Sequence, residues 1–476
     1  MGIKIVLLVL FFAVMVAVGV YSRKHATSVD GFVLGGRSVG PWLTAFAYGT
    51  SYFSAVVFVG YAGQFGWKYG LASTWIGLGN AIIGSLLAWV VLGRRTKVMT
   101  QHLNVKTMPD FFGERYGSKA LKITASAIVF IFLVPYTASV YNGLSRLFGM
   151  AFNIPYTYCV LGMAAFTAVY VILGGYMATA INDFIQGIIM LGGIIGVIGA
   201  VLSGQGGFIQ AIRKMAEIPS DVPVTMGQPG AFTSFFGPDP LNLLGVVILT
   251  SLGTWGLPQM IGKFYAIKDE KAINTGTVIS TLFAVVISGG CYFLGGFGRL
   301  FDNASIYDET GNVVFDSIVP YMLSTLPDIL IGIVIVLVLS ASMSTLASLV
   351  LTSSSTLTLD FLKDNVMKSI LHCAFRSNRI RSADFYRTAY GNFLGRTSRS
   401  ISGTVLIWIV LETSFQSGCM GKLRSRCWDY RIEHVYRLHC FTNQCRSDRD
   451  DRRTYHCADS ERIITETGYR KGGSDF

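Results

Sequence analysis

The chain has 476 residues, 51% of them hydrophobic and 14% charged, with a mean hydropathy of +0.50. That balance excludes an ordinary soluble globular protein and points to a polytopic membrane protein. The net charge of +12 does not make it a nucleic-acid binder: as far as Asp360 there are 19 Lys and Arg against 15 Asp and Glu, and most of the excess lies in the last 116 residues.

Nine apolar segments follow one another at about 4–21, 42–66, 72–93, 123–149, 156–174, 178–202, 241–262, 274–298 and 320–357. Most approach the ~20 residues a helix needs to cross the hydrocarbon, and several exceed it enough to tilt or break. The first has Lys4 ahead of it and no small-residue cleavage site behind it, so it reads as an anchored helix and not a removed signal peptide. The odd-numbered connections hold the basic residues, from Arg23, Lys24 and Arg37 through Arg94, Arg95, Lys97 and Lys106 to Lys263, Lys268 and Lys271. By the positive-inside rule these face the cytoplasm. The expectation is therefore a multi-pass protein of the cell membrane with its amino terminus outside and the long connection from Ser203 to Pro240 external.

Segment two, AFAYGTSYFSAVVFVGYAGQFG, sets Gly49, Thr50, Ser51 and Ser54 in the middle of an apolar span. Glycine with hydroxyls marks a place where a membrane helix can unwind if the freed groups find partners; close helix packing is the plainer reading. Tyr136 follows Pro135 in segment four and reads as a packing aromatic or a solute contact. Asp183 lies just inside the sixth segment, where an isolated carboxylate costs about 2.5–3.5 kcal/mol on insertion scales. It is either a functional residue or a carboxylate snorkelling at the boundary.

The ninth segment, IGIVIVLVLSASMSTLASLVLTSSSTLTLD, organises the rest. Ala341, Ser344, Thr345, Ser348, Thr352 and Ser355 recur at steps of three and four, one stripe on one helix face. Two readings stand. Small and hydroxylated residues let membrane helices approach, each hydroxyl bonding back to the carbonyl one turn earlier. Alternatively, uncharged oxygens of this kind replace the water shell of a hard monovalent cation, provided that another segment offers broken backbone opposite them.

Three motifs together resemble the sodium:solute symporter family, over roughly residues 1–365. They are Gly174-Gly175-Tyr176-Met177-Ala178 with Asp183 and Gln186, the segment GLPQMIGKFYAIKD from Gly256 to Asp269, and ASMSTLAS from Ala341 to Ser348. The resemblance implies an all-α LeuT-type inverted-repeat fold of residues 1–364, and sodium as the coupling ion with no other cofactor. It places sodium on Thr50 and Phe53 by backbone carbonyls, on Ala341 by its carbonyl, and on Ser344 and Thr345 by their hydroxyls. Asp183 matches a carboxylate tied to cation release or to a second sodium. Some members add two adjacent hydroxyls there, but these positions are Ala347 and Ser348, so one sodium per cycle is expected. Tyr136, ten residues before the Arg of Arg146-Leu147-Phe148, matches a solute-contacting tyrosine of proline symporters, and Tyr52 and Ser54 are the accompanying candidates. The acidic residue and the tryptophan that those symporters carry are Tyr52 and Val56 here. The implied solute is therefore a small amino acid or carboxylate other than proline.

After about Lys368 the sequence changes character. Residues 365–476 are basic and Cys-rich, and their only apolar run, Val405 to Leu411, is too short to span. We read this as a reading-frame slip near 365–372. His434, His439, Cys440, Cys445, His456 and Cys457 would be a metal module on the competing reading, yet they contain no CxxC pair. As written, the second repeat is incomplete and the expectation is a chain that does not transport. Beside a symporter acting on a small solute in the lipid bilayer, the classes considered are a symporter-like sensor domain and an inactive truncated transporter. No nucleophile elbow, P-loop or nucleic-acid motif supports an enzyme or a nucleic-acid partner.

Overall fold

The computed structural model describes residues 2–152 and 155–362, and among them there is no strand. Six helices are long and apolar enough to cross a membrane, and a seventh span forms if the bent pair Pro240–Gly256 and Pro258–Ala266 is counted as one. Two of the six are too long for a single crossing. The stretch Val56–His102 has 47 residues, about 70 Å at 1.5 Å per residue against a hydrocarbon core of about 30 Å. It turns at Gly70, whose φ of 58° and ψ of −141° a side chain would oppose. The stretch Val160–Gly204 turns in the same way at Gly175, φ 55° and ψ −144°, where a Cβ would run into the Phe32 backbone. Divided at these two glycines, and with the bent pair counted as one, the described residues hold nine apolar helical stretches, against nine apolar segments in the sequence.

The connections gather as the alternation of spans requires. At one end Lys106 pairs with Asp30 at 3.0 Å, Arg94 with Glu270 at 2.6 Å, and Val39 bridges to Ile267. At the other end Arg299 ties three even connections together. Its Nε donates to the Trp67 carbonyl at 2.7 Å, its guanidinium lies 3.9 Å from the Phe232 ring centre, and it pairs with Asp221 at 2.6 Å.

Three expectations need correction. The ninth segment is two helices, Phe315–Ser324 and Asp328–Ser355, because Pro327 lacks the N–H to continue the first. The connection from Ser203 to Pro240 is given no element of its own by the apolar segments, whereas Phe208–Glu217 is an amphipathic helix that buries Ala211 and Met215 and exposes Ile209. Lys97 and Lys263, counted as loop charges, lie inside the protein at 1% and 3% exposure. The tail from 365 to 476, with its competing frame-slip and metal-module readings and the end of the second repeat, lies outside the described residues.

Candidate functional site

Segment two breaks where its glycine and hydroxyls stand. Pro41–Tyr52 is α-helical, Phe53 leaves the helix at φ −94° and ψ 89°, and a π-helical stretch resumes at Val56–Tyr61. Ser54 starts the second half, its Oγ accepting from the Val56 N–H at 3.2 Å. Buried backbone groups released by such a break must find partners within the bundle. The carbonyl of Thr50 finds two.

Those partners come from the hydroxyl stripe. Ser344 Oγ donates across to the Thr50 carbonyl at 3.0 Å and lies 3.1 Å from the Ala341 carbonyl. Thr345 Oγ1 lies 3.2 Å from the Thr50 carbonyl, 3.4 Å from that of Ser51 and 3.1 Å from that of Ala341. Nearby hydroxyls on the same helix behave differently. Ser340 and Ser342 donate to Val336 and Val338, one turn earlier, at 2.7 Å each. Both readings of the segment are thus realised, at different residues: back-bonding on part of the helix, and a reach onto broken backbone at Ser344 and Thr345.

Thr50, Ala341, Ser344 and Thr345 are fully buried or nearly so. Phe53 joins them at the break and, with Ser54 and Ala341, lines a small cavity otherwise walled by apolar residues such as Met190, Ile194 and Ile287. A monovalent cation of about calcium's size, held by oxygens at about 2.4 Å, spaces neighbouring oxygens about 3.4 Å apart in an octahedral shell. The donors here need to part by only a few tenths of an ångström, and a hydroxyl that now donates can turn its lone pairs inward instead. The residue set fits a dehydrated sodium ion in chemistry and spacing.

The solute candidates are less well assembled. Ser54 lines the cavity. Tyr52 points to another helix, its hydroxyl donating to the Thr250 carbonyl at 3.1 Å, and Tyr136 is half-buried in the neighbourhood of Tyr52 and Tyr61. Neither tyrosine lines that cavity.

Asp183 does not snorkel. It is wholly buried, and its carboxylate lies 3.5 Å from the Lys263 ammonium. Lys263 also donates to Ser348 Oγ at 3.0 Å and stands 5.2 Å from the centre of the Tyr176 ring. Ser348 Oγ in turn lies 2.8 Å from Ser51 Oγ on the broken helix. Sequence reasoning found Asp183 and Ser348 but missed Lys263. The available signal was its setting, Met260-Ile261-Gly262-Lys263-Phe264, an amine within an apolar helical face. Below this group a space of about 40 Å³ runs past Gln259, Thr352 and Ser355 toward Lys106 and Thr107. The lower half of the stripe thus lines a path toward the end that carries most of the loop cations.

Comparison with known proteins bears on the family and the fold. The model of the sodium:solute symporter family matches residues 32–371. Sodium/proline symporter 2 of Staphylococcus saprophyticus is 30% identical over 416 residues, covering 85% of this chain and 74% of that protein. The sodium/proline symporter of Staphylococcus aureus is 28% identical over 373 residues, covering 75% of this chain and 68% of its own. A solved structure of the substrate-bound outward-open state of a Na+-coupled sialic acid symporter has the same fold. Its TM-score is 0.66 at 16% identity, over 86% of this chain and 82% of that one. With the family model matching residues 32–371 and a relative 30% identical over 85% of this chain, the chain belongs to the sodium:solute symporter family.

Proposed function

We propose that this chain couples sodium entry to the import of a small amino acid or carboxylate across the cell membrane. The ion is held by the carbonyls of Thr50, Phe53 and Ala341 and the hydroxyls of Ser344 and Thr345. The observation that carries this reading is that two side-chain hydroxyls of one helix converge on one backbone carbonyl at the break of another. An ion bound there joins the two helices, and so favours whichever arrangement of the bundle keeps them together. Solute is taken beside the break, with Ser54 in contact and Tyr52 and Tyr136 closing over it. Relatives that are sodium/proline symporters support the amino-acid class. Tyr52 and Val56 stand where those symporters carry an acid and a tryptophan, which favours a solute other than proline. The amino terminus faces outward, and the path past Thr352 and Ser355 leads to the cytoplasm.

Uptake into proteoliposomes tests the reading, with a panel of amino acids and carboxylates and with sodium and proton gradients imposed separately. The chain as written and a version with its frame restored near residue 370 are measured side by side. Accumulation driven by the sodium gradient alone is the expected result for the frame-restored version, and no accumulation for the chain as written. Accumulation driven by protons alone rejects sodium as the coupling ion.

A further inference from the structure

Lys263, Asp183 and Ser348 form a group that sodium binding at the break does not use. Its members are almost fully buried, the least so being Lys263 and Ser348 at 3% exposure. They continue into the candidate sodium site without a gap: Asp183 to Lys263 at 3.5 Å, Lys263 to Ser348 at 3.0 Å, Ser348 to Ser51 at 2.8 Å, and the Ser51 carbonyl to Thr345 at 3.4 Å. Polar atoms around them have no partner among the described residues, including both amide atoms of Gln259 and the Tyr176 hydroxyl. Lys263 and Ser348, with Tyr176 and Gln259, line the space that leads past Thr352 and Ser355, and the Asp183 carboxylate stands behind the amine, 3.5 Å from it.

We propose that the Lys263 ammonium is a built-in cation that occupies the place between Asp183 and Ser348 and so limits the protein to one bound sodium. A buried carboxylate needs a positive partner, because an isolated charge in a low-dielectric interior is far more costly than a pair. Lys263 supplies that partner on a tether, and the pair is neutral. Adding a sodium ion beside it leaves a net positive charge away from water. Removing the amine leaves the Asp183 carboxylate and the Ser348 hydroxyl, which lay 3.5 and 3.0 Å from it, without a cation between them. Ala347, next to Ser348, contributes no side-chain oxygen, so the amine also stands where the oxygen set is thinnest. The inference rests on the sodium assignment at Ser344 and Thr345, which sets the count from which the change is read.

Equilibrium binding of radioactive sodium to the purified full chain counts the sites. One ion per wild-type chain, two in Lys263→Gln and one in the double variant Lys263→Gln/Asp183→Asn is the expected series. One ion in a folded Lys263→Gln overturns the proposal, since the vacated place then takes no cation. Two ions in the wild type falling to one in the double variant also overturn it, since Asp183 then ligates sodium with the amine present. A wild-type count of zero rising to one in Lys263→Gln sinks the assignment at Ser344 and Thr345 but keeps this one; zero in both sinks both. If Lys263→Gln does not fold, the double variant decides, because it removes both charges together: a count equal to the wild type supports the proposal and one ion fewer overturns it.

Discussion

Among the described residues two membrane-length helical stretches are broken, and the two breaks are unlike. Between Pro41–Tyr52 and Val56–Tyr61 the freed Thr50 carbonyl is met by hydroxyls from a helix almost 300 positions away in sequence, Ser344 and Thr345. Between Pro240–Gly256 and Pro258–Ala266, a bend of 51°, the chain satisfies itself with nearby groups. The Leu257 N–H donates to the Thr254 carbonyl at 3.3 Å, the Leu257 carbonyl accepts from the Ile261 N–H at 3.1 Å, and Pro258 begins the next helix with no N–H to satisfy. Unwound backbone is thus not in itself a binding place. It becomes one where convergent, uncharged oxygens are held against it, and the second break instead aims the helix that carries Lys263.

The sharpest way to break that comparison is to strand the charge the second break delivers. Asp183→Ala leaves the Lys263 ammonium buried without its carboxylate, and removing one partner of a buried pair costs about 3–5 kcal/mol. Thermal unfolding in detergent should show the loss, and Asp183→Leu combined with Lys263→Met should recover most of it. If the single variant is as stable as the wild type, the pair is not a structural element.

Next comes the first break. Hydrogen bonds or ligation involving a charge are worth about 1.5–3 kcal/mol each, so Ser344→Ala with Thr345→Ala should raise the sodium concentration for half-maximal binding by roughly 100-fold or more. A titration with radioactive sodium checks this, and an unchanged midpoint removes those hydroxyls from the site. The smallest effect belongs to the hydroxyls that serve only their own surroundings. Ser340→Ala and Thr254→Ala each delete a local bond worth about 1 kcal/mol and should leave the sodium midpoint within twofold of the wild type. A large shift in either would show that local back-bonding and ion binding are not separable on these helices.

Much of this was legible in the sequence because hydropathy and helical spacing are local. The apolar segments foretold the crossings, Gly49 with its neighbouring hydroxyls foretold the break, and the three- and four-residue steps from Ala341 put Ser344 and Thr345 on one face. Lys263 was legible only as an amine in an apolar setting; whether such a lysine turns to water or inward to a carboxylate 80 positions earlier looks the same in the sequence. The direction is set by tertiary packing, here of a helix aimed by the bend after Gly256. Tyr52 shows the same limit: no local pattern announces that its hydroxyl bonds to the Thr250 carbonyl of another helix. The division at Pro327 could have been read, since proline cannot continue the hydrogen-bonded ladder of the helix before it.

Arg299 sets how its own end of the bundle can move. Its guanidinium is held by the Trp67 carbonyl, the faces of Trp67 and Phe232, and Asp221, so the strap from Ser203 to Pro240 is fastened to the second half of the broken helix. Such a strap cannot flap open alone to admit solute. Entry from that side must come by tilting the fastened halves together, so the rearrangement that admits solute acts directly on the helix whose other half supplies Thr50.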